Sequence, residues 1–277
     1  MSALTTLERG FVRATASPVG GQLLTCAVDG RELLYLSPLT DPLSGGAIRG
    51  GVPVCFPWFG NGPSGALQPS HGFARTSRWT RLSESAGEVV WQLDPAAVAD
   101  SPGRAEWPFA FLATCRQSLT EAGVRVALTV RNTGEEAFTY EALLHTYLRV
   151  SDAAPTRLSG LSGSTYLDKP NDFRPTVQDG DVGFTEPLDR IYSSEAALVL
   201  HDSGRALRID KQGSATTVVW NPGDHAPADV PAGGWRDFVC VEAGNVGDRA
   251  ITLDAGAEHT LATEISLIEV LATEAGR

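Results

Sequence analysis

Two side chains in this sequence are of the kinds that move protons near neutral pH. His145 stands in "YEALLHTYLRV" and Glu242 in "DFVCVEAGN". An imidazole changes charge close to neutrality. The alternation around His145 suggests a strand that aims the ring at one sheet face, where a structural role is the commoner fate of a lone histidine and proton transfer the other. Glu242 ends an apolar run before a Gly-Asn turn, so it either turns to solvent or is a desolvated base with a lifted pKa. His71, in "PSHGFARTSRW" with Arg75 close behind, could present imidazole and guanidinium from one loop. A turn braced by side-chain hydrogen bonds explains it equally well. Asp189, in "EPLDRIY", is either ion-paired with its neighbour Arg190 or a carboxylate for hydroxyl groups.

Charge narrows the ligands. A formal net charge of -11 argues against a nucleic-acid or anionic-membrane surface, because such surfaces carry broad basic coverage. Any anionic ligand must meet a local positive cluster. Only Lys169 and Lys211 of the 22 basic residues are lysines, so that cluster would be mostly arginine, whose planar fork suits phosphate and carboxylate oxygens. An arginine-rich codon bias gives the same ratio.

Several familiar signatures fail. "GNGPSG", Gly60 to Gly65, matches G-x-G-x-x-G by letter, but Pro63 and Pro69 bracket a segment unsuited to the strand-turn-helix that a dinucleotide site needs. The sequence contains no Walker A, HExxH or GxSxG motif. Metal-dependent and serine-nucleophile chemistry lose their usual support.

The elements that must hold these groups read as strands. In "VRVALTVRN", Val124, Val126, Leu128 and Val130 share one face and Arg125, Ala127, Thr129 and Arg131 the other, as in a half-buried antiparallel strand. Its partner is "FAFLATCRQSL", with "TEAG" as the turn. "GQLLTCAV", "EVVWQL", "AALVL", "ALRID", "TTVVW", "RDFVCVE" and "HTLATEISLIEV" follow the same logic between turns such as "DSGR" and "DAGAE". The fold class is all-β, with sandwich and barrel both open. No linker or repeat divides the chain, so residues 1–277 are expected to form one domain.

One apolar stretch breaks the pattern. "GGVPVCFPWFG", Gly50 to Gly60, follows Arg49. Pro53 and Pro57 remove ladder donors, so this is expected to be a braced, extended loop along a cleft floor. Gly50 and Gly51 permit a turn or close approach, and at least two of Phe56, Trp58 and Phe59 are expected to pack in the core. The four cysteines, Cys26, Cys55, Cys115 and Cys240, form no CxxC and read as buried thiols in a reducing compartment. The N-terminus "MSALTTLERGFVR" lacks a signal-peptide pattern, and no apolar run approaches a bilayer span. The expectation is a cytoplasmic protein.

Arg49 with "GGVPVCFPWFG", then "HGFAR", "LLHTYL", "LDRIY" and "VCVEAGN", together resemble the ordered motifs of glucose-6-phosphate 1-epimerases, the hexose-6-phosphate mutarotases of the aldose 1-epimerase superfamily. The resemblance implies a galactose mutarotase-like β-supersandwich with its site in a cleft on a concave sheet face. It implies His145 and Glu242 as the catalytic pair, Arg49, Arg75 and Asp189 as substrate-binding positions, and His71 as a sugar contact. Some members carry glutamine before the "HGxAR" histidine; here that position is Ser70 and the nearest glutamine is Gln68, so contacts to the sugar are expected to differ.

The implied activity is interconversion of α and β hexose 6-phosphates by acid-base ring opening and reclosure, with a protonated His145 beside an ionised Glu242. It needs no cofactor and no metal. The expected partner is a small-molecule hexose 6-phosphate, with no nucleic acid or membrane, and the chain is expected to act as a monomer. Rival readings are a non-catalytic carbohydrate-binding or sensing protein and an epimerase of non-phosphorylated aldoses.

Overall fold

A computed structural model describes residues 4–268. Among these residues the regular structure is antiparallel strand, with only short 3-10 turns between. Two large sheets dominate. The nine-stranded sheet is built around the long strands Phe111–Leu119, Gly123–Asn132, Arg205–Gln212 and Glu258–Ile268. The eight-stranded sheet carries, among others, Leu188–Tyr192, Thr216–Asn221 and Phe238–Asn245 as adjacent members. A four-stranded N-terminal sheet and a two-stranded pair complete the chain.

The sequence alternation sets which face is buried. In Gly123–Asn132 the residues Val124, Val126, Leu128 and Val130 are buried, and they join Leu207 and Ile265 of the same sheet in one apolar cluster. Val219, Val239 and Val241 of the eight-stranded sheet enter that cluster too. The core therefore lies between the two sheets, as in a sandwich rather than a closed barrel. "FAFLATCRQSL" pairs with "VRVALTVRN" as expected, from Phe111↔Asn132 to Leu119↔Val124. Glu269 and Val270, the end of the expected terminal strand, lie outside the described residues, as do Met1 to Ala3.

The Phe238–Asn245 strand is buried on both faces. Val239, Val241 and Ala243 point into the core between the sheets. Phe238 and Cys240 belong to a separate cluster on the other side, and Glu242 shares their parity. The expected turn at Gly244-Asn245 is absent: both residues stay in the ladder, opposite Leu143 and Ala142. Glu242 is thus mid-strand, which removes the choice of turning to solvent.

"GGVPVCFPWFG" contributes only the two-residue strand Val54–Cys55. Phe56 and Trp58 are core residues. Gly51 has φ +61°, and a β-carbon there would sit 2.1 Å from the Leu23 carbonyl oxygen, so the close approach is real. "GNGPSG" forms consecutive turns and no helix. All four cysteines are buried free thiols. No helix among the described residues is long and apolar enough to cross a membrane.

Candidate active site

Register brings distant sequence positions onto one sheet face. Asp189 pairs with Trp220, which pairs with Cys240; Ile191 pairs with Val218, which pairs with Glu242. Side chains in these two rows project to the same side because the strand period is two. Above this floor lies a cavity of about 150 Å³ lined by Arg49, Phe59, His71, His145, Lys169 and Asp189 together with Val218, Trp220 and Glu242.

His145 does not lie inside a continuous strand. It occupies the break between Ala142–Leu144 and Tyr147–Arg149, both of which pair with Phe238–Asn245. The His145 N–H donates to the Pro53 carbonyl at 2.9 Å, and the Tyr147 N–H donates to that of Gly51, also at 2.9 Å. The glycine-proline segment thus fixes the main chain of His145 as well as carrying Arg49.

His145 Nδ1 stands 3.4 Å from Glu242 Oε1, with both side chains buried. Neither His145 Nδ1 nor either Glu242 oxygen has a hydrogen-bond partner among the described residues. Buried polar atoms without partners are rare and costly. Burial pushes the Glu242 carboxyl up, with the Asp189 charge adding to it while Lys169 and Arg75 oppose. Burial likewise lowers His145 well below the usual imidazole value, reinforced by His71, Arg75 and Arg49. A low-dielectric site disfavours both charges of the expected imidazolium-carboxylate pair. Neutral imidazole beside carboxylic acid is the tautomer of that pair, with the same single proton.

His71 adopts φ +68°, and its Nδ1 accepts the Gly60 N–H at 3.3 Å. The ring proton then lies on Nε2. Burial first, then Arg75, Lys169 and Arg49, take its pKa down to about 3, so it stays neutral. Its ring stands edge-on to His145, 5.7 Å between centroids.

Arg49 donates from Nε to Asp229 at 3.0 Å and from Nη1 to the Tyr147 hydroxyl at 2.8 Å. Asp189 pairs with Lys169, at 3.0 Å and 3.1 Å to its two oxygens. The expected Asp189–Arg190 pair does not form, since neighbours on a strand face opposite ways. Arg190 instead lies over the Tyr166 ring, 4.6 Å from its centroid. Lys169 Nζ sits 4.5 Å from the Phe59 ring centroid, a favourable cation-π arrangement. Phe59 is held in turn by its N–H donating to Glu141 Oε2 at 2.9 Å.

The remaining expected residues separate. Arg75 is only 6% exposed, and its Nε has no partner among the described residues; it is not among the residues that line the cavity. Ser70 is exposed and is not a lining residue. Sequence reasoning missed Trp220 in the floor and Tyr147 and Asp229 behind Arg49. A lone aspartate in "APADVP" carried no signal, and Trp220 and Tyr147 read as ordinary strand aromatics.

The arrangement pairs a proton acceptor and donor, both buried, with cations and a carboxylate around the same cavity, which suits acid-base work on a small polar molecule. A family model described as aldose 1-epimerase matches residues 3–266. A protein from Escherichia coli (strain K12), provisionally named glucose-6-phosphate 1-epimerase, is 35% identical over 251 residues, spanning 86% of this chain and 82% of its own. A like-named protein from Salmonella typhimurium is 34% identical over 247 residues, with the same spans. The crystal structure of a provisionally named mutarotase from Salmonella typhimurium matches with a TM-score of 0.83 at 30% identity, covering 96% of this chain and 90% of its own.

Proposed function

Because the chain belongs to the aldose 1-epimerase family and is an isomerase of sugar anomers, we propose that its substrate is glucose 6-phosphate or a closely related hexose 6-phosphate, and that His145 and Glu242 carry the proton transfers. One observation carries the assignment of roles. His145 Nδ1 and Glu242 Oε1 face each other at 3.4 Å, buried and without hydrogen-bond partners.

Ring opening removes the proton from the C1 hydroxyl and delivers one to the ring oxygen as the C1–O5 bond breaks. Glu242 as carboxylate accepts the first, and His145 as imidazolium gives the second. The couple then stands as carboxylic acid and neutral imidazole. That is the state reclosure requires, after rotation about C1–C2: the acid returns a proton to O1 and the imidazole takes one from the C5 hydroxyl as it attacks. No proton is exchanged with solvent over the cycle. Burial favours the neutral couple, so opening removes two charges from a low-dielectric site. The general acid-base contribution is about 10² to 10⁴ in rate.

The phosphate assignment rests on charge. Arg49 and Lys169 line the cavity, and the charge of the largely buried Arg75 acts on His71, His145 and Glu242. Charge-assisted bonds from such groups to phosphate oxygens are roughly twice as strong as neutral ones. Asp189 and the Nε2–H of His71 are left for sugar hydroxyls; Ser70 reaches the substrate only if its loop moves inward.

The reading extends to a single domain over residues 1–277, acting as a monomer in the cytoplasm, without nucleic acid, membrane or cofactor. A size-exclusion mass of one chain and a single cooperative melt are expected. The direct test is polarimetry on freshly dissolved α-glucose 6-phosphate. Equilibration no faster than with heat-killed protein overturns the proposal.

A further inference from the structure

Beneath the acid-base couple lies a third group that the isomerase reaction does not use. Cys240 and Glu242 are alternate residues on one face of Phe238–Asn245, and Cys240 sits opposite Tyr147 in the ladder. The ring of Tyr147 stacks on His145, 4.8 Å between centroids. One ligand atom each from His145, Cys240 and Glu242 fall within 4.8 Å of one another. We propose that these three side chains form a binding site for a thiophilic divalent cation, with Zn²⁺ as its natural test ligand, and that occupancy shuts the isomerase off reversibly.

The donor set is chemically apt. Nitrogen, sulfur and carboxylate oxygen are the ligands zinc takes, at about 2.0–2.1 Å, 2.3 Å and 2.0–2.2 Å. A tetrahedral centre with bonds of that length puts nitrogen and oxygen about 3.4 Å apart. The observed His145 Nδ1 to Glu242 Oε1 separation is 3.4 Å. The thiol needs only a side-chain adjustment of about 1 Å to complete three corners. Two of the three ligand residues, His145 and Glu242, line the cavity, so an exchangeable ligand has access to the fourth corner.

The unsatisfied ligand atoms support the site as a second observation. His145 Nδ1 and both Glu242 oxygens are buried with no hydrogen-bond partner among the described residues, so binding a cation would break no existing bond. Binding displaces the thiol and carboxyl protons to solvent, and thiolate plus carboxylate then balance the two charges of the ion. Arg49, Lys169 and Arg75 oppose a cation here and Asp189 favours it, which points to reversible binding rather than the permanence of a structural zinc.

The inhibitory consequence rests on His145 and Glu242 being the acid-base couple. A metal on their lone pairs leaves neither able to move a proton. The metal site itself rests on geometry alone, so the two are tested separately.

The test titrates the full chain with Co²⁺, a spectroscopic stand-in for zinc, and measures mutarotation with added Zn²⁺. One equivalent of Co²⁺ should produce a thiolate-to-cobalt charge-transfer band in the near-ultraviolet. Micromolar Zn²⁺ should abolish mutarotation, and EDTA should restore it. Cys240→Ala should retain mutarotation, lose the cobalt band and need at least about tenfold more Zn²⁺ for half-inhibition. If that variant does not fold, Cys240→Ser carries the same expectations. A cobalt spectrum without the thiolate band, or inhibition equally strong in the cysteine variant, overturns the proposal. A chain without mutarotase activity sinks the functional reading, while the cobalt titration still decides the metal site.

Discussion

The Tyr147 ring lies flat against the His145 imidazole, with planes 11° from parallel and centroids 4.8 Å apart. The hydroxyl at its far end accepts a 2.8 Å hydrogen bond from Arg49 Nη1. One buried side chain therefore touches both the proton-transfer group and the group assigned to phosphate.

Tyr147→Phe separates those two contacts, keeping the stack and deleting the hydroxyl. KM for glucose 6-phosphate should rise about 3- to 10-fold, as expected for loss of a hydrogen bond to a charged group that orients rather than binds. The value of kcat should stay within about twofold. A fall in kcat at constant KM would contradict this division.

Glu242→Gln should trade activity for stability. Mutarotation should drop by about 10² to 10⁴. In the native chain the Glu242 pKa is raised above its ordinary 4.5, so the unfolded chain gives up this proton first as pH rises. Folding is penalised above the unfolded value, increasingly until the folded pKa is passed. Glutamine carries no such penalty, so the variant should melt higher at about pH 7.5 and converge with the native protein near about pH 4. Each kcal/mol regained is worth roughly 2–4 °C. Equal melting temperatures at the higher pH would refute the linkage.

The pH profile of kcat/KM follows from a couple that works with one proton. Activity falls on the acid side when a second proton enters and on the alkaline side when the single one leaves. His145 is lowered well below 6.5 and Glu242 raised, which moves the two limbs apart. The plateau should therefore continue below pH 6.5. A limb centred on that ordinary histidine value would show that the imidazole titrates as if exposed.

Arg49→Ala and Lys169→Met should each reduce kcat/KM for glucose 6-phosphate by about 10- to 100-fold while leaving free glucose within about twofold. Asp229→Asn, which removes the charge facing Arg49 Nε at 3.0 Å, should give a smaller change of the same sign. Equal losses for both sugars would mean that these cations serve the ring and not the phosphate.

Strand content was legible because period-two alternation is local: Val124 to Val130 announce their buried face without help from the rest of the chain. The catalytic candidates were legible from motifs, whose order carries information that no residue holds alone. What escaped was everything decided by register. The Asp189–Lys169 pair spans 20 positions and Arg49–Asp229 spans 180, and nothing local to either partner marks the other. The break at His145 escaped too, because "YEALLHTYLRV" alternates straight through it; the Pro53 and Gly51 carbonyls, which take the His145 and Tyr147 amides respectively, come from another part of the chain. The protonation of the couple depends on burial, which no pairwise motif encodes.

Glu242 is positioned by its ladder and His145 by a main-chain bond to Pro53, whereas Arg49 is aimed by the side chains of Asp229 and Tyr147 and Lys169 by that of Asp189. Proton transfer and recognition thus rest on different kinds of contact that meet at Tyr147. A substitution at Asp229 should therefore retune which sugar is accepted while the main-chain bonds of the proton-moving centre keep its geometry.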